Sequence, residues 1–418
     1  MKVPILAGNT LVTNLLTQVQ NAPEGTWIRA NLNNFSDVWA PQELQPYRYA
    51  GATAALIIAW SSFAWDSNRG DLILFGGGHA NYAGNEIYRW HGGTQLWERA
   101  SVPSDVVQIG PAMYEAIDGA MNAPVSSHTY DNQLFLPAWD RFLTFGGAAF
   151  DTGGPFRMKL ADGSVRMTGP YLWNPALGDA NKVGGTTGSH VKRIAPHLEI
   201  VGGNMWQNRD LFTDRIPTPN FATFVTSVTD ETIERGLETV YVTGQTDTGT
   251  KLFRYQLPSV SDPSQDTWEW VGASKSGFSV HQGAGAYDPV RKIFLRTGGA
   301  VAPLAYFDLR TPGPINNEIL IETSIDPTGQ FLMNGNDGLD FDQARNVFVA
   351  WGGGGDVSEI TPPATLSAIG WTVARRSPTT GLVPDVDVGT GVLGKFKYIP
   401  NLRLHGSSTL FAGQHLDL

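Results

Sequence analysis

The chain has no cysteine among its 418 residues, which excludes disulfide bridges and thiolate-bound metal centres but leaves the compartment open. Charge is also scarce, with Asp, Glu, Lys and Arg making up 16% of residues. The balance is acidic, 39 Asp and Glu against 29 Lys and Arg, for a formal net charge of -10. No basic run forms a phosphate-tracking stripe, so nucleic acid is not an expected partner. No window approaches the ~20 apolar residues of a spanning helix, so no membrane partner is expected either. The opening Met1-Lys2-Val3-Pro4-Ile5-Leu6-Ala7-Gly8 lacks an apolar h-region and a small-residue cleavage site. The expected location is therefore cytoplasmic, or virion or secreted if a signal has been removed. Helical periodicity is weak, and Thr10 to Gln20, with Leu11, Leu15 and Leu16, is its best instance.

What the chain does have is turn residues, 48 Gly and 26 Pro, the composition of a loop-rich all-β protein. It also repeats itself. The first unit reads Ile57-Ile58-Ala59-Trp60, then Asp71-Leu72-Ile73-Leu74-Phe75-Gly76-Gly77-Gly78-His79, then Glu86-Ile87-Tyr88-Arg89-Trp90, then Leu96-Trp97-Glu98-Arg99. Four short apolar runs separated by turns are the sequence image of one four-stranded antiparallel blade of a β-propeller. A second unit takes in Ser126 to Leu136, Arg141 to Gly147 and Tyr171 to Trp173; a third runs from Phe221 to Trp270. The fourth spans Gly283 to Phe307, the fifth Gly338 to Val373, and a sixth begins at Gly394 and ends near Gly413 without a closing strand.

Six blades are legible, and Pro175 to Asn220, with His197 to Gly203 as its best strand, has the length for a seventh. Of six or seven blades, the reading favours seven. Residues 1–418 form a single propeller domain, with 1–24 as an N-terminal arm. Residues 25–32, bearing Trp27, are expected to complete the last blade, so that N- and C-terminal strands close the ring and leave no open edge.

Chemistry on such a ring is sought by face. The turn after each second strand and the entry to the next inner strand share one end. His79 and Asn81 with Tyr82 occupy the first kind of position; His128 and Tyr130, His281, and Asn334, Asn336 and Asp337 occupy the second. Trp206, Asn208, Arg209 and Asp210 lie in the irregular segment feeding the third blade. Each has a plainer alternative: histidines that brace turns, an Arg209 paired with Asp210 or Asp214, a Tyr82 and Trp206 that only pack. His91 reads as solvated. The glycine runs at Gly76 and Gly352 are followed by no Lys-Ser/Thr and no helix, so they read as close-packing sites rather than phosphate loops.

The Gly-Gly, Tyr, Trp rhythm resembles kelch-type propellers. More specifically, Phe75-Gly76-Gly77-Gly78-His79-Ala80-Asn81-Tyr82-Ala83-Gly84-Asn85-Glu86 followed by Ser127-His128-Thr129-Tyr130 resembles the propeller polysaccharide lyases typified by the ulvan lyases. It is also similar to kelch-like proteins encoded by bacteriophages. The lyase resemblance implies that two histidines, an arginine and a tyrosine process a uronate by β-elimination. His79 and His128 match the histidines, Arg209 is the candidate arginine, and Tyr82 and Tyr130 stand in for the tyrosine. Asn81, Trp206, Asn208, His281 and Asn336 are the candidate substrate-binding residues. An arginine fork would neutralise the carboxylate and a neutral base would take the adjacent proton. No cofactor is required, and structural zinc held by imidazoles lacks a close His-x-His pair. The expected partner is an acidic polysaccharide, cleaved by a depolymerase. The opposing expectation is a phage virion or tail protein that binds a host glycan without cleaving it, alongside other virion proteins; a weaker third is an intracellular protein-interaction propeller.

Overall fold

The structure, a computed structural model, describes residues 17–41, 44–45, 59–77, 82–149, 156–186, 202–212, 226–234, 237–246, 249–274, 283–297, 304–322, 336–379, 382–384, 390–400, 404–407, 409–410 and 416–417. Within them lie five four-stranded antiparallel sheets, each a blade whose strands run from inner to outer edge. The first blade is Phe63–Asp66, Asp71–Phe75, Ile87–His91 and Leu96–Arg99. The second is Gln133–Leu136, Arg141–Thr144, Tyr171–Trp173 and Trp206–Asn208. The third is Thr226–Glu234, Leu237–Thr246, Gly249–Leu257 and Thr267–Ala273. The fourth is Gly285–Asp288, Ile293–Arg296, Ala305–Asp308 and Glu318–Leu320; the fifth is Gly338–Asp342, Val347–Trp351, Val357–Thr361 and Thr372–Arg376. Inner strands pack side by side in chain order, ending with Phe396–Ile399, which pairs with Leu404–Ser407 at a sixth position. This radial stack is a β-propeller.

Burial explains which residues form which strand. Second strands such as Asp71–Phe75 and Val347–Trp351 are buried throughout, because a neighbouring blade covers each face and no alternation is called for. Outer strands such as Thr372–Arg376 are exposed or half-buried. Between the first two blades Ile73 and Phe75 meet Phe135, Phe142, Tyr171, Trp173 and Trp206. A buried side chain of this size contributes roughly 1.5–3 kcal/mol, against about 0–1 for a surface ion pair, so apolar joints hold the ring.

The inner-to-second turns share a device absent from the reading above. Asp66, Asp288 and Asp342 each accept two backbone N–H bonds from the residues two and three further on, at 2.8 to 3.1 Å. The turn then passes through a left-handed residue: Gly70, Lys292 and Asn346 in these blades, and Asp140 in the second. This is an aspartate-capped hairpin loop.

Several expectations are corrected. The first inner strand is Phe63–Asp66; Ala59 and Trp60 form a turn at its mouth, and Ile57 and Ile58 lie outside the described residues. Ser126 to Leu136 splits into Ser127–His128, which pairs with Ala148–Ala149, and the inner strand Gln133–Leu136. Of Pro175 to Asn220, expected to supply a seventh blade, Trp206–Asn208 instead returns as the second blade's outer strand; 187–201 and 213–220 lie outside the described residues, which occupy six positions. Thr26 to Ala30 carries no strand. Instead Trp27 donates its indole N–H to Gly355 O at 2.8 Å and packs 5.3 Å from Trp351, while Ala30 O accepts from Gln95 at 2.8 Å. The arm thus bridges the fifth and first blades without a strand ladder, by these contacts and by single backbone bonds, Thr379 N–H to Gly25 O at 3.0 Å and Leu32 N–H to Gln95 O at 2.8 Å. Residues 17–21 are helical; the rest of the helix expected from Thr10, and His197 to Val201, lie outside the described residues.

Candidate functional site

The ring mouth is built where the first two blades begin. Trp60 sits in a turn with φ 45°, donates its N–H to Thr390 O at 3.0 Å, and accepts from Tyr130 N at 2.9 Å. Thr129 is fixed between blades by Ser62 N, 3.1 Å, and by the Gln133 amide, 2.7 Å. The Ser127–His128 strand lies so close to Gly76 and to Gly147 of the second blade that side chains have no room. A Cβ on Gly76 would stand 2.5 Å from Ser127 O, and one on Gly147 2.0 Å from His128 O; both glycines have positive φ. That is the close-packing role, not a phosphate cradle.

Three rings result at the mouth. His128 lies 5.3 Å from Trp60 and 5.8 Å, edge-on, from Tyr130. Its Nδ1 is 3.4 Å from the Tyr130 hydroxyl. Burial pushes the Tyr130 hydroxyl up to about 12, so it is a neutral proton donor at physiological pH.

Beneath them is a charged cluster. Asp131, buried, accepts from Lys397 Nζ at 2.5 Å and from Gly285 N at 2.9 Å. Asp340 accepts from Tyr398 N at 2.7 Å and acts electrostatically on both Asp131 and Lys397. Lys395 donates to Ser61 O at 3.2 Å and Gly391 O at 2.6 Å. Second, fourth and sixth positions thus meet in one cluster, which places it at the ring axis. Burial raises Asp131 to about 6, with Lys397 pulling it back. Burial lowers Lys397, and the Asp131 and Asp340 carboxylates more than offset it, leaving the ammonium above its ordinary value.

The other described candidates go elsewhere. His79, Asn81, His281 and Asn334 lie outside the described residues. Tyr82 is buried, with its hydroxyl 2.5 Å from Glu86, which also takes Tyr88 at 2.9 Å; burial holds Tyr82 well above its usual range. Arg209 spends itself on Asp266 at 2.8 and 2.7 Å and on the carbonyls of Val260, 2.6 Å, and Ser259, 2.7 Å. Neither side chain of that ion pair is exposed, and none of these partners is shared with His128. Asp210 is forked by Arg166 at 2.6 and 2.7 Å. Asn208 is buried on Ala120 O and Thr168, and Trp206 packs 5.1 Å from Phe75. Asn336 accepts two backbone bonds, from Val392 at 2.8 Å and Leu393 at 3.1 Å, bracing the sixth position.

The structure therefore brings together His128, Tyr130 and Trp60, and adds Asp131, Asp340 and Lys397, which the sequence reading missed. Asp131 directly follows the quoted Ser127-His128-Thr129-Tyr130. Lys397 is a lone lysine in an otherwise apolar Phe396-Lys397-Tyr398-Ile399 strand; both were available signals.

No family model matches the chain, and no curated protein matches it. Among solved structures it is similar to a structural genomics protein of unknown function from Bacteroides thetaiotaomicron VPI-5482, at 14% identity and a TM-score of 0.28, over 67% of this chain and 54% of that one. The chain thus spans about half the length of that protein.

Proposed function

We propose that this propeller binds a glycan at its axial mouth, in the manner of a virion or tail protein that grips a host saccharide. The observation that supports this is the Trp60–His128–Tyr130 ring cluster beside the axial Asp131–Lys397 pair. A half-buried indole offers an apolar platform to a sugar face, with the His128 and Tyr130 rings packed behind it. The carboxylates of Asp131 and Asp340 offset the ammonium groups of Lys395 and Lys397, which favours a neutral sugar over the acidic one expected from resemblance.

A second reading is β-elimination by a polysaccharide lyase, favoured by the 3.4 Å approach of His128 Nδ1 to Tyr130 Oη. There His128 would take the proton alpha to a uronate carboxylate, the electron pair would form the C=C bond as the glycosidic C–O bond breaks, and Tyr130 would protonate the leaving oxygen. Arg209 cannot neutralise that carboxylate, because its N–H groups serve Asp266 and two carbonyls. Binding therefore ranks first.

The test is a glycan array followed by titration calorimetry, with absorbance of unsaturated ends recorded in parallel on uronate polysaccharides. Trp60→Ala is expected to weaken binding by about tenfold, 1.4 kcal/mol, with no unsaturated product from the unaltered protein. Product that vanishes in His128→Ala would install the lyase reading; binding indifferent to Trp60 and His128 would remove the mouth from both.

A further inference from the structure

Arginines stand at the same place in three of the capped turns: Arg69, Arg291 and Arg345. Arg69 forks onto Asp140 of the next blade at 2.5 and 2.7 Å, and Arg291 reaches Asn346 of the next blade at 2.8 Å. Arg345 departs from this pattern. Its carboxylate is Glu359 of its own blade, which also receives Arg376 at 2.9 Å. One carboxylate thus serves two guanidinium groups. Glu24 of the arm stands 3.9 Å from Arg345, beyond a hydrogen bond, with its side chain 85% exposed. Arg345 and Arg376 are 43% and 56% exposed, and each places one nitrogen on Glu359, leaving most of its N–H groups to solvent. Both line a cavity of about 290 Å³ between the arm and the fifth blade, walled by Trp27, Ile28, Val349, Val357 and Phe396. Two carboxylates line it too: Asp342, buried under the turn it caps, and Glu24, turned out to solvent.

We propose that this cleft is a binding site for a compact organic anion, a carboxylate or sulfate carried on a body of monosaccharide size. Two planar forks sharing one carboxylate leave bidentate donor geometry open to a second anion. The apolar wall receives the body, and the volume, just below the ~300–1,000 Å³ range of ligand pockets, suits a single ring. The cleft runs along the fifth blade from the Asp342–Arg345 turn to Gly355, Val357 and Arg376, and neither Trp60 nor His128 lines it, so it stands independently of glycan binding at those rings.

Titration calorimetry of the full chain at low ionic strength, with glucuronate, glucose and sodium sulfate as probes, tests it. Glucuronate is expected to bind one to one, sulfate more weakly, and glucose not measurably. The double change Arg345→Gln with Arg376→Gln should weaken glucuronate on the order of tenfold or more. Glu359→Gln, which removes the internal competitor, should tighten it severalfold, and Trp60→Ala should leave it unchanged. Circular dichroism checks each fold, and the single, exposed Arg376→Gln serves if the double variant fails to fold. Glucuronate binding that is absent, or unaltered by the arginine changes, overturns the site; sulfate binding as tightly as glucuronate overturns its assignment to a ring-bearing ligand.

Discussion

At the scale of single residues, His91 is where physical context most changes the meaning of a side chain. Beyond Trp90 on a strand it reads as solvated, yet its Nδ1 lies 2.8 Å from Asp71 and its Nε2 3.0 Å from Glu98. Those two carboxylates raise it to about 9. A folded-state value above the unfolded 6.5 means the stabilisation is complete below about pH 6.5 and is lost as pH climbs through 9. His91→Gln should therefore cost on the order of 1–2 kcal/mol at pH 6.5, after allowing for solvent screening, and close to nothing at pH 10. Thermal melts of both proteins between pH 6.5 and 10 measure this. A constant gap across that range would mean His91 acts by shape alone. Tyr82 teaches the same lesson in reverse: a tyrosine beside a glycine-rich turn resembles a catalytic group in sequence, and burial with Glu86 removes it from any substrate.

Strands and blades were legible where apolar runs meet glycines, because a second strand buried on both faces has to be continuous in apolar residues. Asp71–Phe75, Arg141–Thr144, Ile293–Arg296 and Val347–Trp351 all fall where the pattern places them. Outer strands were not legible to the same degree. Trp206–Asn208 is three residues long and follows the third strand after more than thirty, so no local period connects it to its sheet. Arg209 was misplaced with it, since a residue's face follows from the strand before it. Once that strand is outermost, Arg209 becomes a bolt between the second blade and the Ser259–Asp266 loop of the third, with Tyr255 donating to the same Asp266 at 2.6 Å. A buried pair broken on one side costs about 3–5 kcal/mol, because the surviving charge has no water. Arg209→Ala is thus expected to lower the melting temperature sharply while glycan affinity of the remaining folded protein holds. Arg209→Lys should recover only part of the loss, since a point charge cannot serve a carboxylate fork and two carbonyls together. Denaturant titration alongside calorimetry separates the two; a variant of normal stability with lost binding would return Arg209 to the site.

For the whole molecule the question is what closes the ring; a strand ladder was expected at the rim, and the structure has an arm without one there and an ion pair between inner strands. The arm holds the fifth and first blades through Trp27, Ala30, the Gly25 and Leu32 backbone bonds and the buried Phe35, while the inner strand Phe396–Ile399 is fastened by Lys397 to Asp131 and thereby to Gly285. A salt bridge 266 residues apart in sequence cannot be read from spacing, which is why the cluster escaped a search by face. Lys397→Met keeps the length of the side chain and strands the Asp131 carboxylate in a buried place. The expected cost is about 3 kcal/mol or more near pH 8. It should shrink towards pH 5, because Asp131, already raised to about 6 by burial, rises further without its lysine and takes up a proton in the folded state. Adding Asp131→Asn to Lys397→Met should restore most of the lost stability at pH 8, since an amide still accepts the Gly285 N–H without carrying charge. Urea unfolding of the three proteins at pH 5 and 8 decides the matter. Equal instability of single and double variants at both pH values would show that packing at Phe396 and Tyr398, and not the axial pair, holds the sixth position to the other five.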